Sequence, residues 1–196
     1  GCNVTIEHDR NEVFRLKPLE NQKVNKWWIC DEGRLSYRKM NERNSRINQP
    51  YGRVEGKLES ILWGEAYSAI SKRINEMLPT SSEVLALTDT HASNEELFLI
   101  KSILNKKFSS DNVFCPLPSW KQIESNYFIN TIITSDKSPN RAGALANQIN
   151  GDEKLTKLKK IVEGDLKLVI VLGNPFLNEV EISEKLKNAQ LIVYIG

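Results

Sequence analysis

The chain has 196 residues, 40% of them hydrophobic and 27% charged, with a net charge of +2. That composition is ordinary for a folded chain able to bury roughly 70% of its unfolded surface, so disorder is not the default. Basic and acidic residues are interspersed without a patch, which argues against a nucleic-acid partner, and no apolar run approaches the roughly 20 residues of a membrane span.

Gly1-Cys2 brings neither an initiator methionine nor the basic and apolar regions of a signal peptide, and reads as a cut inside a longer protein. Three cysteines is an odd count, with Cys115 far from Cys2 and Cys30, so no disulfide framework is expected and a reducing compartment is favoured.

Val4 and Ile6 alternate with polar residues, His8 to Asn11 reads as a turn, and Val13 to Leu16 resumes the two-residue period of a β-hairpin ended by Pro18. His8 reads as a solvated turn residue, not a ligand. Trp27 and Trp28 precede Cys30; one indole is expected to plug the small core beneath the hairpin, to shield a site from water, or both. Asp31 to Met40 favours one short helix with Leu35 facing inward. Asn41 to Gly56 is polar, contains the turn signal Pro50-Tyr51-Gly52, and reads as a connector.

Trp63 to Leu78 carries Trp63, Ala66, Tyr67, Ile70, Ile74, Met77 and Leu78 on one helical face, expected as core packing. Glu83 to Thr88 is a strand of the buried type. Ser93-Asn94-Glu95-Glu96 is a capping box that starts a helix reaching Phe108. Asn112 to Leu117 is a second strand, and the strand–helix–strand order predicts a parallel pair. Trp120 to Thr134 has mixed signals. Helices are expected at Arg141 to Ile149, Glu153 to Glu163 and near Glu179 to Lys187, and strands at Leu166 to Leu172 and Leu191 to Ile195. Lys154, Lys157, Lys159 and Lys160 read as a solvated helix face. The fold class is therefore α/β: a small N-terminal β subdomain over residues 1–50, then a doubly wound, mostly parallel sheet over 51–196.

Two thiols in one small β unit, Cys2 and Cys30, suggest a metal or iron–sulfur site that two thiols alone do not complete. Elsewhere, Asp89-Thr90-His91 and Gly173-Asn174-Pro175 follow predicted strands, where parallel sheets bind ligands. The glycine spacing of a dinucleotide loop is missing, so 173–175 reads as a structural turn, and His91 is a weak base candidate. No catalytic residue and no self-contained active site emerges.

Gly1-Cys-Asn-Val-Thr-Ile6 and Trp27-Trp-Ile-Cys-Asp-Glu-Gly-Arg34 resemble the start of the molybdopterin-oxidoreductase fold, in particular the family of the large iron–sulfur subunit of NADH-quinone oxidoreductase (respiratory complex I). Arg46-Ile-Asn-Gln-Pro50, Trp63-Gly-Glu-Ala66, Ala92-Ser-Asn-Glu-Glu96, Lys137-Ser-Pro-Asn140 with Gly143-Ala144, and Val171-Leu-Gly-Asn-Pro175 extend the resemblance in order along the chain. It implies that residues 1–50 are a partial iron–sulfur-type subdomain in which Cys2 and Cys30 match the third and fourth ligands of a [4Fe–4S] cluster. The first two ligands would lie upstream of Gly1, so a cluster is implied for the parent protein and none for the 196 residues alone. Molybdenum enzymes of this fold commonly carry a lysine where Glu32 stands, so the resemblance implies a scaffold that has lost its molybdopterin. The implied partners are other subunits of a peripheral arm, on the cytoplasmic side and bound to the inner membrane only through the complex. Two alternatives remain open: a formate dehydrogenase-like molybdopterin enzyme, and a cofactor-free docking domain.

Overall fold

The computed structural model describes residues 2–42, 47–116, 138–149, 152–175 and 184–196. They fall into two compact units, one running to Asn48 and the other starting at Gln49.

The first unit begins with the expected hairpin, β1 (Val4–Asp9) paired antiparallel with β2 (Glu12–Pro18). The turn is tighter than the sequence suggests. His8 and Asp9 still belong to β1, and only Arg10 and Asn11 turn, both with the positive φ that two-residue hairpin loops require. The register slips between Glu7 and His8, leaving Phe14 as an extra residue on β2. Beside that bulge Val13 stays opposite His8, and the Asn41 side chain bonds its backbone groups. Its Oδ1 accepts the Val13 N–H at 3.0 Å and its Nδ2 donates to the Val13 carbonyl at 2.9 Å. The single expected helix is two, α1 (Asp31–Leu35) and α2 (Tyr37–Met40), split at Ser36, and Leu35 is exposed instead of facing inward. The core of this unit is small and rests on Leu16 and Ile29.

The second unit opens on a hairpin that the polar composition of the connector concealed. β3 (Tyr51–Val54) pairs with β4 (Lys57–Ser60) around Glu55-Gly56, both at positive φ. α3 (Trp63–Met77) follows, but its apolar stripe is only partly used. Ile74 packs on the sheet, while Trp63 and Tyr67 are both 61% exposed, their rings 5.7 Å apart. The expectation that these aromatics are core is corrected by the fold.

The sheet is β5 (Val84–Thr88), β6 (Val113–Phe114), β7 (Leu168–Leu172) and β8 (Leu191–Ile195), all parallel, in the order β6-β5-β7-β8. The pleat divides its side chains between two cores. Val84, Ala86, Val113 and Leu168 meet Leu97, Ile100 and Leu104 of α4 (Asn94–Phe108), together with Ala144 of α5 (Arg141–Ala146). Leu85, Leu87, Phe114 and Val169 meet Leu158 of α6 (Asp152–Ile161) and Leu186. Helices on both faces are the doubly wound arrangement expected from the unbroken apolar strands. The capping box forms as read: Ser93 Oγ accepts the Glu96 N–H at 3.2 Å, and Glu96 Oε2 accepts the Ser93 N–H at 2.7 Å. Lys154 departs from the solvated lysine face. It is half-buried, with its ammonium 5.9 Å above the Phe114 ring, and desolvation lowers its pKa. The mixed stretch 120–134 and most of the expected helix 179–187 lie outside the described residues.

Glu83, at the entrance to β5, accepts from the Thr80 N–H at 2.8 Å and pairs with Lys167 at 3.0 Å. The Thr80 N–H first, then Lys167 and the Thr80 hydroxyl, hold its carboxyl below the ordinary 4.5. A carboxyl depressed in the folded state contributes stability that is present above the unfolded value and lost as pH falls through the folded one. Thermal melts should therefore lose midpoint below 4.5, and Glu83→Gln should make that acid limb shallower while leaving its shape above neutrality unchanged.

Candidate metal centre

Cys2 precedes β1 and Cys30 precedes α1 in the first unit, and one side chain links their neighbourhoods. Asn25 Oδ1 accepts the Asn3 N–H at 3.1 Å, while Nδ2 donates to the carbonyls of Trp28 at 2.9 Å, Asn3 at 3.3 Å and Leu19 at 3.3 Å. Asn3 follows Cys2 directly and Trp28 lies two residues before Cys30, so the amide ties both cysteine segments to the end of β2. Backbone bonds reinforce the same knot, from Leu19 N–H to the Asn3 carbonyl at 2.9 Å and from Trp28 N–H to the Asn25 carbonyl at 2.8 Å. Asn25 was not legible as a site residue. The only local hint is the polar run Asn21–Lys26, where the chain reverses through an Asn21–Lys26 bridge.

Cys30 is the N-cap of α1, in extended conformation, and its Sγ accepts the Gly33 N–H at 3.4 Å. Backbone bonds of this kind stabilise charge on a metal-bound sulfur and tune the potential of an iron–sulfur cluster. Gly33 lets the turn approach closely, since a Cβ there would sit 3.3 Å from Ile29 Cγ1 and 3.6 Å from the sulfur. Cys2 is exposed and Cys30 half-buried. Trp27 and Trp28 meet edge to face at 6.1 Å but are 69% and 44% exposed. Neither plugs the core; Ile29, between them and Cys30, does so at 3% exposure. Asp31 and Glu32 occupy the first turn of α1. Among the described residues, no three His, Cys, Asp or Glu side chains converge in a way that could hold a metal ion. Cys2 and Cys30 are thiols, the donor type an iron–sulfur cluster takes, and a cluster needs four such ligands.

Cys115 is a different kind of thiol. Burial first, then the negative charge of Asp89, push its pKa up to about 12, which keeps it neutral and inert as a packed core group.

The other sequence candidates gather where the strand order reverses, between β5 and β7. Asp89 Oδ1 accepts the His91 N–H at 2.9 Å, and Oδ2 accepts the Asn174 N–H at 2.8 Å across the crevice. The His91 ring lies 3.6 Å from Oδ2 and is 78% exposed. Gly173 takes φ +72° directly over that carboxylate. Thr90 joins the cluster through its carbonyl, which accepts the Asn140 N–H at 2.9 Å.

Two family models match successive parts of the chain. "NADH-ubiquinone oxidoreductase NDSU1/NuoG-like, 4Fe-4S domain" covers residues 1–38, and "Molybdopterin oxidoreductase" covers 46–135. Relatives include an NADH-quinone oxidoreductase subunit of Rickettsia bellii (strain RML369-C), 37% identical over 54% of this chain and 15% of that protein. The same subunit of Rickettsia conorii (strain ATCC VR-613 / Malish 7) is 30% identical over 68% of this chain and 20% of its own length. The NADH-ubiquinone oxidoreductase 75 kDa subunit of Reclinomonas americana is 29% identical over 87% and 23%.

The chain belongs to the NuoG-like family of NADH-quinone oxidoreductase subunits.

It spans about a fifth of the length of the curated relatives it matches. Within the NuoG-like frame, Cys2 and Cys30 fall inside the 4Fe–4S domain match, and Asp89 and His91 inside the molybdopterin oxidoreductase match. The described residues at the sheet's ligand crevice, Asp89 and His91 inside the second match and Asn174 beyond it, do not fit an anionic pterin. The backbone donors of His91 and Asn174 are already engaged by a carboxylate, which would repel the cofactor's phosphate.

Proposed function

We propose that this chain is part of an iron–sulfur subunit that supports electron transfer from NADH to quinone, with no pterin chemistry of its own. Residues 1–50 are the iron–sulfur-type β subdomain and 51–196 the molybdopterin-oxidoreductase-like α/β domain. Cys2 and Cys30 supply two of the thiolate ligands of a [4Fe–4S] cluster in the longer parent protein. When bound, the cluster would supply a one-electron relay. This chain's share is to orient the two thiols through Asn25 and to give Cys30 the Gly33 N–H. The observation that carries the reading is that one amide joins both cysteine segments within a stretch matched by a 4Fe–4S family model. Its partners are the other subunits of a respiratory complex's peripheral arm, which would keep it on the cytoplasmic side, peripheral to the inner membrane. In support, no described helix is long and apolar enough to cross a membrane. The exposed pair Trp63 and Tyr67, with Leu58 and Leu62 also exposed nearby in sequence, is the kind of surface that a neighbouring subunit covers.

The test is the parent protein carrying Cys30→Ser or Cys2→Ser, read by iron content and low-temperature EPR. Each variant should lose the signal of one cluster and about four irons per chain. Unchanged iron and spectra would overturn the ligand assignment, and molybdenum with a pterin in the purified parent would revive the formate dehydrogenase-like alternative.

A further inference from the structure

Open parallel sheets bind ligands beyond the carboxyl ends of their strands, at the point where the strand order reverses. With the order β6-β5-β7-β8, that point lies between β5 and β7. What occupies it is part of the chain. The Asp89 side chain is 12% exposed and presents one oxygen to a donor from each bank, His91 N–H on the β5 side and Asn174 N–H on the β7 side. Gly173 lets the β7 bank close down, because a Cβ there would meet all three carboxylate atoms at 2.8–2.9 Å. Backbone amides converging on a carboxylate, with a glycine permitting close approach, are how such crevices hold an oxyanion brought from outside.

We propose that Asp89 is the built-in occupant of this crevice, an internal oxyanion that locks the β5 and β7 loops together in place of a ligand. The groups facing it are the His91 imidazole, 3.6 Å from Oδ2, and the uncharged Cys115 thiol, which takes no part. The proposal stands apart from the iron–sulfur reading, since it concerns only the second unit.

Removing the carboxylate should expose the two amides to a small anion of the same chemistry. In the full 196-residue chain, Asp89→Ala should lower the urea midpoint, and sodium formate should restore about half of the loss in a saturable manner that sodium chloride at equal ionic strength does not reproduce. Asp89→Asn, which fills the space, should lose stability without any formate response. In the unsubstituted chain neither formate nor inorganic phosphate should move the amide resonances of His91 and Asn174. If Asp89→Ala folds poorly, its refolding yield in formate against chloride gives the same answer. Equal responses of Asp89→Ala and unsubstituted chain to formate, a midpoint unchanged by Asp89→Ala, a refolding yield indifferent to formate, or phosphate shifts at His91 and Asn174 in the unsubstituted chain would each overturn the proposal.

Discussion

Gly173→Ala should destabilise the second unit by about 2–5 kcal/mol, combining a left-handed backbone with a displaced buried carboxylate. At φ +72° an alanine loses about 1–2 kcal/mol that glycine does not. Its methyl group would also lie 2.8 Å from Asp89 Oδ2, where ordinary contacts begin near 3.4 Å. Relief requires the carboxylate to swing away, breaking the 2.8 Å bond from Asn174 N–H, and a buried acceptor left unsatisfied costs about 1–3 kcal/mol more. Gly64→Ala is the matched control. That helical glycine has open space around its Cβ position, so the substitution should stabilise by about 0.5–1 kcal/mol. Urea denaturation of both variants should shift the midpoint in opposite directions; two shifts of the same sign would refute the account of Gly173.

Asn25→Ala should destabilise the first unit by about 2–3 kcal/mol, from about 1 kcal/mol per hydrogen bond lost, reduced for partial solvent access. The amide has two N–H protons for three carbonyls, so the Trp28 bond at 2.9 Å is the strong one, and Asn3 and Leu19 at 3.3 Å share the other proton. Asn25→Asp keeps the acceptor for Asn3 N–H but faces the same carbonyls with a negative charge, so it should be no better than alanine. Hydrogen exchange is the measurement: protection should fall at Asn3, Leu19 and Trp28, while β5 and β7 stay protected. Protection unchanged at those three amides would mean that the backbone bonds alone hold the cysteine segments. In the parent protein the same variant should loosen the cluster without removing a ligand, giving a broadened EPR signal and partial iron loss rather than the full loss expected of Cys30→Ser.

Much of the architecture was legible because it depends on short-range periodicity. Val84–Thr88 and Leu168–Leu172 are close to apolar throughout, broken only by Thr88, which only a sheet covered on both faces accommodates. The Ser93–Glu96 box announced its helix to the residue, because a cap is a contact between near neighbours in sequence. The pair Cys2 and Cys30 was legible as chemistry and as a resemblance to a family. The misread apolar residues fail for one physical reason, that an apolar residue needs a partner before it is core. Trp63, Tyr67, Trp27 and Leu35 lie on apolar patterns yet stay exposed among the described residues. The β3–β4 hairpin escaped because its residues are mostly polar and exposed, so its register comes from the Glu55-Gly56 turn and not from burial.

Residue type and spacing along the chain were enough to specify the fold class, the order of the described strands and helices from α3 onward and the two thiols on offer. The strand order β6-β5-β7-β8, the grip of Asn25 on Asn3, 22 positions away, and the bond from Asn174 to Asp89 across 85 positions came from the tertiary structure alone. Those contacts depend on how strands are placed side by side, and a polar side chain carries no local signature of which distant backbone it will meet.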